Sequence, residues 1–152
     1  MSKEKPRSKL RLFRQEKTYT CAAACLRMVL DYLGYEIDEP ALAELCETDP
    51  DGTSANDLIL AANKLGFEAK KEYSNVLDIQ KYLTRDVYPI VYVNLLAIDG
   101  LDITHAFVLE TLTRGAVTVL DPWRGRRKIA LPQFKIAWEK TRNLTIIVSS
   151  HY

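Results

Sequence analysis

The chain lacks the features by which membrane and secreted proteins usually show themselves. None of its apolar runs approaches the roughly 20 residues that a membrane helix needs. Its first residues are charged and have no apolar segment behind them, so we expect no secretory signal. It has three cysteines, an odd number, which favours free thiols in a reducing compartment. We therefore expect a cytoplasmic protein.

Internal repeats and low-complexity tracts are also absent. A length of 152 residues with 47% hydrophobic residues suits one compact domain with a substantial core. The net charge is only +1, but residues 1–17 hold seven Lys and Arg against two Glu, a local net charge of +5. We expect a basic N-terminal tail over residues 1–12 and a folded domain over residues 13–150. A second basic cluster occupies residues 124–128.

These two basic clusters leave two interpretations open. They are either a solvated tail and a charged turn, or surfaces for an acidic partner such as a peptide. Neither cluster interleaves aromatic side chains with residues that read bases, so we expect no nucleic acid partner.

Helix signals dominate the first half of the chain, and strand signals dominate the second. Capping residues and helical periodicity predict helices over residues 21–33, 41–46, 55–65 and 74–83, with a strand at 67–73. Runs of β-branched residues then predict strands at 90–95, 105–109, 117–120, 127–131 and 144–148, with a short helix near 133–138. The expected fold class is α+β, with a helical N-terminal half packed on an antiparallel sheet from the C-terminal half.

Cys21 stands where a loop runs into the first predicted helix. A thiol in the first turn of a helix lies near unpaired backbone N–H groups, which favour the thiolate. Gln15, six residues upstream, could place its amide N–H beside the sulfur. Together with the backbone N–H of Cys21 it would form a two-donor oxyanion hole. The alternative is that Cys21 is only a small buried residue at a helix start.

His105 and Asp121 are the residues that could activate such a thiol. His105 opens one predicted strand, and Asp121 ends the next. If residues 113–115 form the turn between them, Leu112 faces Ala116, and the register makes His105 and Asp121 diagonal neighbours on one face. A two-residue turn would reverse this parity. In the favourable register the carboxylate holds one ring nitrogen and leaves the other to act as a base.

The order Gln15, Cys21, His105 and Asp121, with the helix sequence Cys-Ala-Ala-Ala-Cys-Leu-Arg-Met-Val-Leu-Asp-Tyr-Leu-Gly, resembles the family-39 cysteine peptidases. The sequences His-Ala-Phe-Val-Leu and Val-Thr-Val-Leu-Asp-Pro resemble that family's histidine strand and its Asp-Pro strand end. Its members are papain-like enzymes that cut leader peptides from bacteriocin precursors after a double glycine. The resemblance covers roughly residues 14–148 and implies a papain-like fold, a peptide or precursor-protein substrate, and no cofactor or metal.

By this resemblance Cys21 would be the nucleophile, His105 the base, Asp121 the orienting carboxylate and Gln15 the oxyanion donor. Such domains often belong to export transporters, which implies an ABC exporter or membrane partner and a place at the cytoplasmic face of a membrane complex.

Three further residues are candidates for substrate binding. Tyr19 and Trp123 flank the expected site in sequence and could close the sides of a narrow channel, while the small Ala22 leaves room for a peptide backbone. The family often has Asp before and Gly after the cysteine and Gly before the histidine, where this chain has Thr20, Ala22 and Thr104. These departures leave the reacting groups in place but bear on substrate fit.

Two other functional classes use the same residues. One is another papain-like thiol enzyme of acyl transfer, such as an amidase or isopeptidase, and the other is a non-catalytic peptide-binding domain, against which Cys21 argues. A zinc site would have to be built from Cys21, Cys25, Cys46 and His105, whose spacing is not that of metal ligands.

Overall fold

A computed structural model describes residues 7–150, and within them it contains six helices and six strands. In chain order they are α1 (Cys21–Tyr32), α2 (Glu39–Leu45), α3 (Ala55–Lys64), β1 (Glu68–Tyr73), α4 (Val76–Thr84), β2 (Ile90–Asn94), α5 (Leu96–Asp99), β3 (Thr104–Leu112), β4 (Ala116–Asp121), β5 (Gly125–Ala130), α6 (Leu131–Glu139) and β6 (Leu144–Ser149). None of these helices is long and apolar enough to cross a lipid bilayer.

The strands form one antiparallel sheet in the order β1-β6-β2-β3-β4-β5. Side chains alternate along β3, so that Ala106 and Val108 join a core cluster with α1, α2 and α3, while Phe107 and Leu109 join a second cluster with α4 and α6. The predicted α+β class is therefore confirmed, with the N-terminal helices on one face. The later helices add a layer on the opposite face.

Two local features differ from the sequence prediction. Helix α5 begins directly after the strand predicted at 90–95, in a stretch for which we predicted no helix, and it is too short for helical periodicity to be visible in the sequence. Helix α4 begins at Val76 rather than at the predicted residue 74, because Asn75 caps it: its side chain accepts from the N–H of Asp78, and the Asp78 carboxylate accepts from the N–H of Asn75.

The β3–β4 hairpin has the expected register near the site, but a shorter turn and a β-bulge produce it. The Thr113 N–H donates to the Ala116 carbonyl, so Arg114 and Gly115 form a two-residue turn and Leu112 pairs with Val117. The predicted three-residue turn is therefore wrong. A β-bulge at Glu110 then inserts one extra residue into β3, and beyond it Val108 pairs with Leu120. Continuing this register places Phe107 opposite Asp121, which makes His105 and Asp121 the diagonal neighbours that we predicted.

Part of the stretch that we expected to be a basic tail packs against the fold. Leu10 is buried in the cluster formed by α1–α3. Arg7 and Arg11 both pair with Asp31, a buried carboxylate near the end of α1, and the Arg11 guanidinium donates to both of its oxygens. The charges of these two arginines are thus neutralised within the domain. Residues 1–6 lie outside the described residues.

Leu10→Ala tests whether this segment belongs to the stable domain. Truncating a buried leucine removes apolar contacts and leaves a cavity, so we expect a loss of at least about 2 kcal/mol in the free energy of unfolding in urea. Leu60→Ala is the control, because Leu60 in α3 is 53% exposed and its truncation should cost about 0.5 kcal/mol or less. Equal small losses for both variants would show that residues 7–12 do not pack in solution.

Candidate active site

Cys21 is the first residue of α1, and its surroundings leave the helix start open. Thr20, the residue before the helix, turns its hydroxyl back to Lys17, donating to the Lys17 carbonyl at 2.9 Å and accepting from the Lys17 N–H at 3.1 Å. Its side chain therefore does not cap the helix. The unpaired N–H groups of the first turn keep their partial positive charge at the thiol, which is partly exposed.

The structure brings His105 and Asp121 into direct contact and places Cys21 beside them. His105 Nε2 donates to Asp121 Oδ1 over 2.7 Å, and the Cys21 side chain lies close enough to the imidazole to raise its pKa. Because Nε2 is held by the carboxylate, Nδ1 is the ring nitrogen left for the sulfur. His105 is 4% exposed and Asp121 is fully buried.

The electrostatics of this pair favour a charged imidazole and a charged carboxylate. Burial lowers the pKa of His105, but the hydrogen bonds to Asp121 and Cys21 outweigh it and raise the pKa to about 9. Burial likewise raises the pKa of Asp121, while the bond from His105 and two backbone N–H groups lower it, and the net shift is downward. The arrangement can therefore hold an imidazolium next to a thiol, which is what a thiolate nucleophile requires.

Sequence reasoning missed a further contact of Asp121. Oδ1 accepts from the N–H groups of Trp123 and Arg124 as well as from the imidazole, while Oδ2 accepts from Arg127 Nη2 at 3.0 Å. Arg127 also makes two bonds of 2.8 Å to the carboxylate of Asp99 at the end of α5. The short β4–β5 turn was the feature of the sequence that could have predicted this contact. Gly125 pairs with Asp121, so Arg127, two residues further along β5, is a diagonal neighbour of Asp121 on the same face of the sheet.

The backbone of Gln15 is fixed to the turn after β4. Its N–H donates to the Pro122 carbonyl at 2.8 Å, and the preceding Arg14 donates from Nη1 to the Trp123 carbonyl at 2.6 Å. The Gln15 side-chain amide donates from Nε2 to the Lys17 carbonyl at 2.8 Å, while its Oε1 is buried without a hydrogen-bond partner. Gly125 leaves room for the Arg14 guanidinium, because a Cβ at this position would lie 2.9 Å from Arg14 Nη2. Its φ of +91° is also one that residues with a side chain rarely adopt.

The three expected substrate-binding residues occupy different environments. The Trp123 ring is 45% exposed and stands edge-on to the His105 ring, with 6.0 Å between centroids. Tyr19 lines a pocket of about 440 Å³ between the loop before α1 and helix α2. Ala22 is buried in the core, where its small side chain lets α1 pack closely on β3. Only Trp123 thus presents an exposed apolar surface directly at the imidazole.

The other two cysteines lie in the core rather than at the surface. Burial raises the pKa of Cys25 well above its ordinary value and that of Cys46 to about 12, which keeps both thiols protonated. Within residues 7–150, no three His, Cys, Asp or Glu side chains converge in a way that could hold a metal ion.

Comparison with known proteins decides the family. The model of the Peptidase C39 family matches residues 9–150, which is nearly the whole chain. The chain belongs to the Peptidase C39 family. Members of this family are cysteine-type peptidases, and the Cys–His–Asp contact described above is chemically suited to that activity.

Relatives of this C39 peptidase agree in sequence and in fold. An uncharacterized protein of Methanothermobacter thermautotrophicus is 35% identical over 112 residues, covering 74% of this chain and 71% of the relative. The solved peptidase domain of Streptococcus ComA, a bi-functional ABC transporter involved in quorum sensing, is 25% identical with a TM-score of 0.80, over 93% of this chain and 99% of that domain. A double glycine motif protease from an AMS/PCAT transporter, solved in complex with the leader peptide, shares the fold with a TM-score of 0.78. It is 22% identical, and the match covers 97% of this chain and 96% of that protease.

Asp121→Asn should lower the pKa of His105 from about 9 toward its ordinary 6.5, because the charged partner of the imidazolium is lost. NMR titration of the imidazole signals measures this directly. A raised pKa in the folded state stabilises the fold fully below pH 6.5, and that contribution disappears as the pH rises through about 9. The variant should therefore lose more stability relative to the wild type at pH 6 than above pH 9, where only the bonds of Asp121 to Arg127 and to the backbone N–H groups are weakened. An unchanged imidazole pKa would show that Asp121 does not contact His105 in solution.

Proposed function

We propose that this C39 peptidase cuts a peptide bond with Cys21 as nucleophile, His105 as acid and base, Asp121 as orienting carboxylate and Gln15 as oxyanion donor. The observation that carries the proposal is the hydrogen bond from the imidazole to Asp121 Oδ1, with the Cys21 side chain next to the same ring. This is the contact order that activates a thiol.

The reaction follows from these contacts. In the resting pair the proton of Cys21 is already held on His105 Nδ1. The thiolate sulfur attacks the scissile carbonyl carbon, and an S–C bond forms as the carbonyl oxygen takes the negative charge. His105 then gives its proton to the leaving nitrogen, the C–N bond breaks, and the C-terminal product departs. A water molecule, deprotonated by His105, attacks the thioester, and the sulfur leaves as the thiolate. Asp121 holds the imidazole in the same orientation throughout.

Gln15 and the start of α1 supply the donors for the carbonyl oxygen. An amide nitrogen carries two hydrogens, so the bond from Gln15 Nε2 to the Lys17 carbonyl leaves one N–H to donate. The backbone N–H of Cys21 lies at the first position of α1, where no helical carbonyl is available to it. We expect both donors to face the carbonyl oxygen of the substrate bonded to the sulfur, because that is the atom on which the oxyanion develops.

We infer that the substrate is a precursor whose leader ends in two glycines. The similar structures support this, because one is a double glycine motif protease in complex with its leader peptide and another is the peptidase domain of an ABC transporter. Glycine buries little apolar surface, so selection depends on excluding larger residues and affinity depends on the leader further upstream. Trp123 beside His105, together with the exposed Leu101 and Ile103 in the loop leading to β3, provides the apolar surface for these contacts. An exporter is the partner that this substrate implies.

Gln15→Ala should lower kcat by about 100- to 1000-fold with little change in KM, because an oxyanion donor acts mainly in the transition state. Gln133→Ala, at an exposed position of α6, is the matched control and should leave both constants unchanged. If Gln15→Ala retained the wild-type kcat, its amide would point elsewhere during catalysis.

The specificity experiment uses peptides ending the leader in Gly-Gly, Gly-Ala or Ala-Ala, each with and without an upstream amphipathic helix. Gly-Gly with the helix should be cut fastest, Cys21→Ala should abolish cleavage, and Cys25→Ala should retain it, since that thiol is buried. Trp123→Ala should narrow the difference between Gly-Gly and Ala-Ala. Equal rates on all peptides would leave a general thiol amidase, and binding without cleavage would leave a non-catalytic peptide-binding domain.

A further inference from the structure

Arg127 occupies a position that the proposed roles do not account for. It lies on β5, opposite Val119, and its guanidinium stands between two carboxylates. Nη1 and Nη2 each donate to one oxygen of Asp99 at 2.8 Å, and Nη2 also donates to Asp121 Oδ2 at 3.0 Å. The Arg127 side chain is 22% exposed, whereas those of Asp99 and Asp121 are 11% and 0% exposed.

The two oxygens of Asp121 are therefore held by different groups. Oδ1 accepts from the imidazole and from two backbone N–H groups, and Oδ2 accepts from the guanidinium. A carboxylate can rotate about its Cβ–Cγ bond, and the torsional preference for one orientation is weak. The bond to Oδ2 opposes this rotation and keeps Oδ1 directed at His105.

Asp99 determines how the guanidinium approaches Asp121. Arginine prefers two parallel bonds to one carboxylate, and here Asp99 takes that pair. The guanidinium is thus left with a single bond for Asp121 and cannot reach around to compete with His105 for Oδ1. The titratable groups that act on the imidazole are Cys21 from α1 and Asp121 from β4, and the charged groups around that carboxylate are Asp99 from α5, Arg124 from the turn and Arg127 from β5.

We propose that Arg127, itself oriented by Asp99, is a positioning residue for the peptidase reaction that fixes the Asp121 carboxylate in the rotamer that serves His105. The proposal rests on the proposed roles of Cys21, His105 and Asp121. Arg127 touches neither the substrate nor the sulfur in this role, and it acts only through the carboxylate.

The experiment measures kcat, KM and the pH profile of kcat/KM for Arg127→Met, Arg127→Lys and Asp99→Asn. Arg126→Met is the matched control, because Arg126 is the preceding residue of β5 and makes the same kind of two-bond contact, but with Glu110. Arg127→Met should lower kcat about tenfold or more with KM nearly unchanged, as is typical of groups that orient a reacting residue. Its basic limb should move to lower pH, because a misoriented carboxylate stabilises the imidazolium less.

The other variants separate positioning from simple loss of charge. Arg127→Lys keeps the charge but cannot contact both carboxylates in the same geometry, so it should recover only part of kcat. Asp99→Asn should shift the basic limb of the kcat/KM profile in the same direction as Arg127→Met, but to a smaller extent. If Arg127→Met does not fold, Asp99→Asn tests the positioning role in its place. Arg126→Met should match the wild type.

Three results would overturn the proposal. The first is a pH profile of kcat/KM for Arg127→Met that matches the profile for Arg126→Met. The second is a basic limb for Arg127→Met that moves to higher pH, as removal of a nearby cation alone would cause. The third is a loss of activity in Arg127→Met that only follows the fraction of folded protein. Cys21→Ala and Asp121→Asn, measured in parallel, distinguish a failure of the proposed function from a failure of the Arg127 role alone. If Cys21→Ala retained activity, the proposed function would fail, whereas an inactive Cys21→Ala with an unaffected Arg127→Met would overturn only the role of Arg127.

Discussion

The burial of the Asp121 carboxylate is the constraint on which the site depends. A charge without exposed surface is strongly unfavourable unless hydrogen bonds and opposite charges compensate for it. Here the compensation comes from the imidazole, from the guanidinium of Arg127 and from the turn that follows β4. The carboxylate that these groups keep ionised is in turn one of the causes of the raised pKa of the imidazole.

The β3–β4 hairpin shows which parts of this arrangement the sequence could predict. Alternating apolar residues in both strands require that Phe107 and Val119 face the same core, and this requirement fixes the register near the site. The turn itself follows local rules that the sequence leaves ambiguous between two and three residues. The bulge at Glu110 absorbs the difference. The contact between His105 and Asp121 could thus be predicted from burial, although the two-residue turn and the bulge that produce this register could not.

Charge pairing was the part that sequence reasoning could not supply. Arg11 and Asp31 are 20 residues apart, and Arg127 and Asp99 are 28 residues apart, so no local pattern links the partners. In the sequence both arginines belong to basic clusters that resemble solvated surface. In the structure they neutralise carboxylates that the fold buries. The helix start at Cys21, by contrast, depends on neighbouring residues only, and the prediction of that helix from composition and capping agrees with its position.

The turn from Asp121 to Gly125 connects the two halves of the site. On one side Arg14 and Gln15 bond to its carbonyl groups, and on the other Arg127 bonds to the carboxylate at its start. The proposed oxyanion donor and the proposed orienting carboxylate are therefore attached to the same five residues. A displacement of this turn moves both, so substitutions at Gln15 and Asp121 should not act independently on the transition state. Residues 14 and 15 are thus attached to the same turn as the proposed orienting carboxylate, although they lie in the basic cluster of residues 1–17.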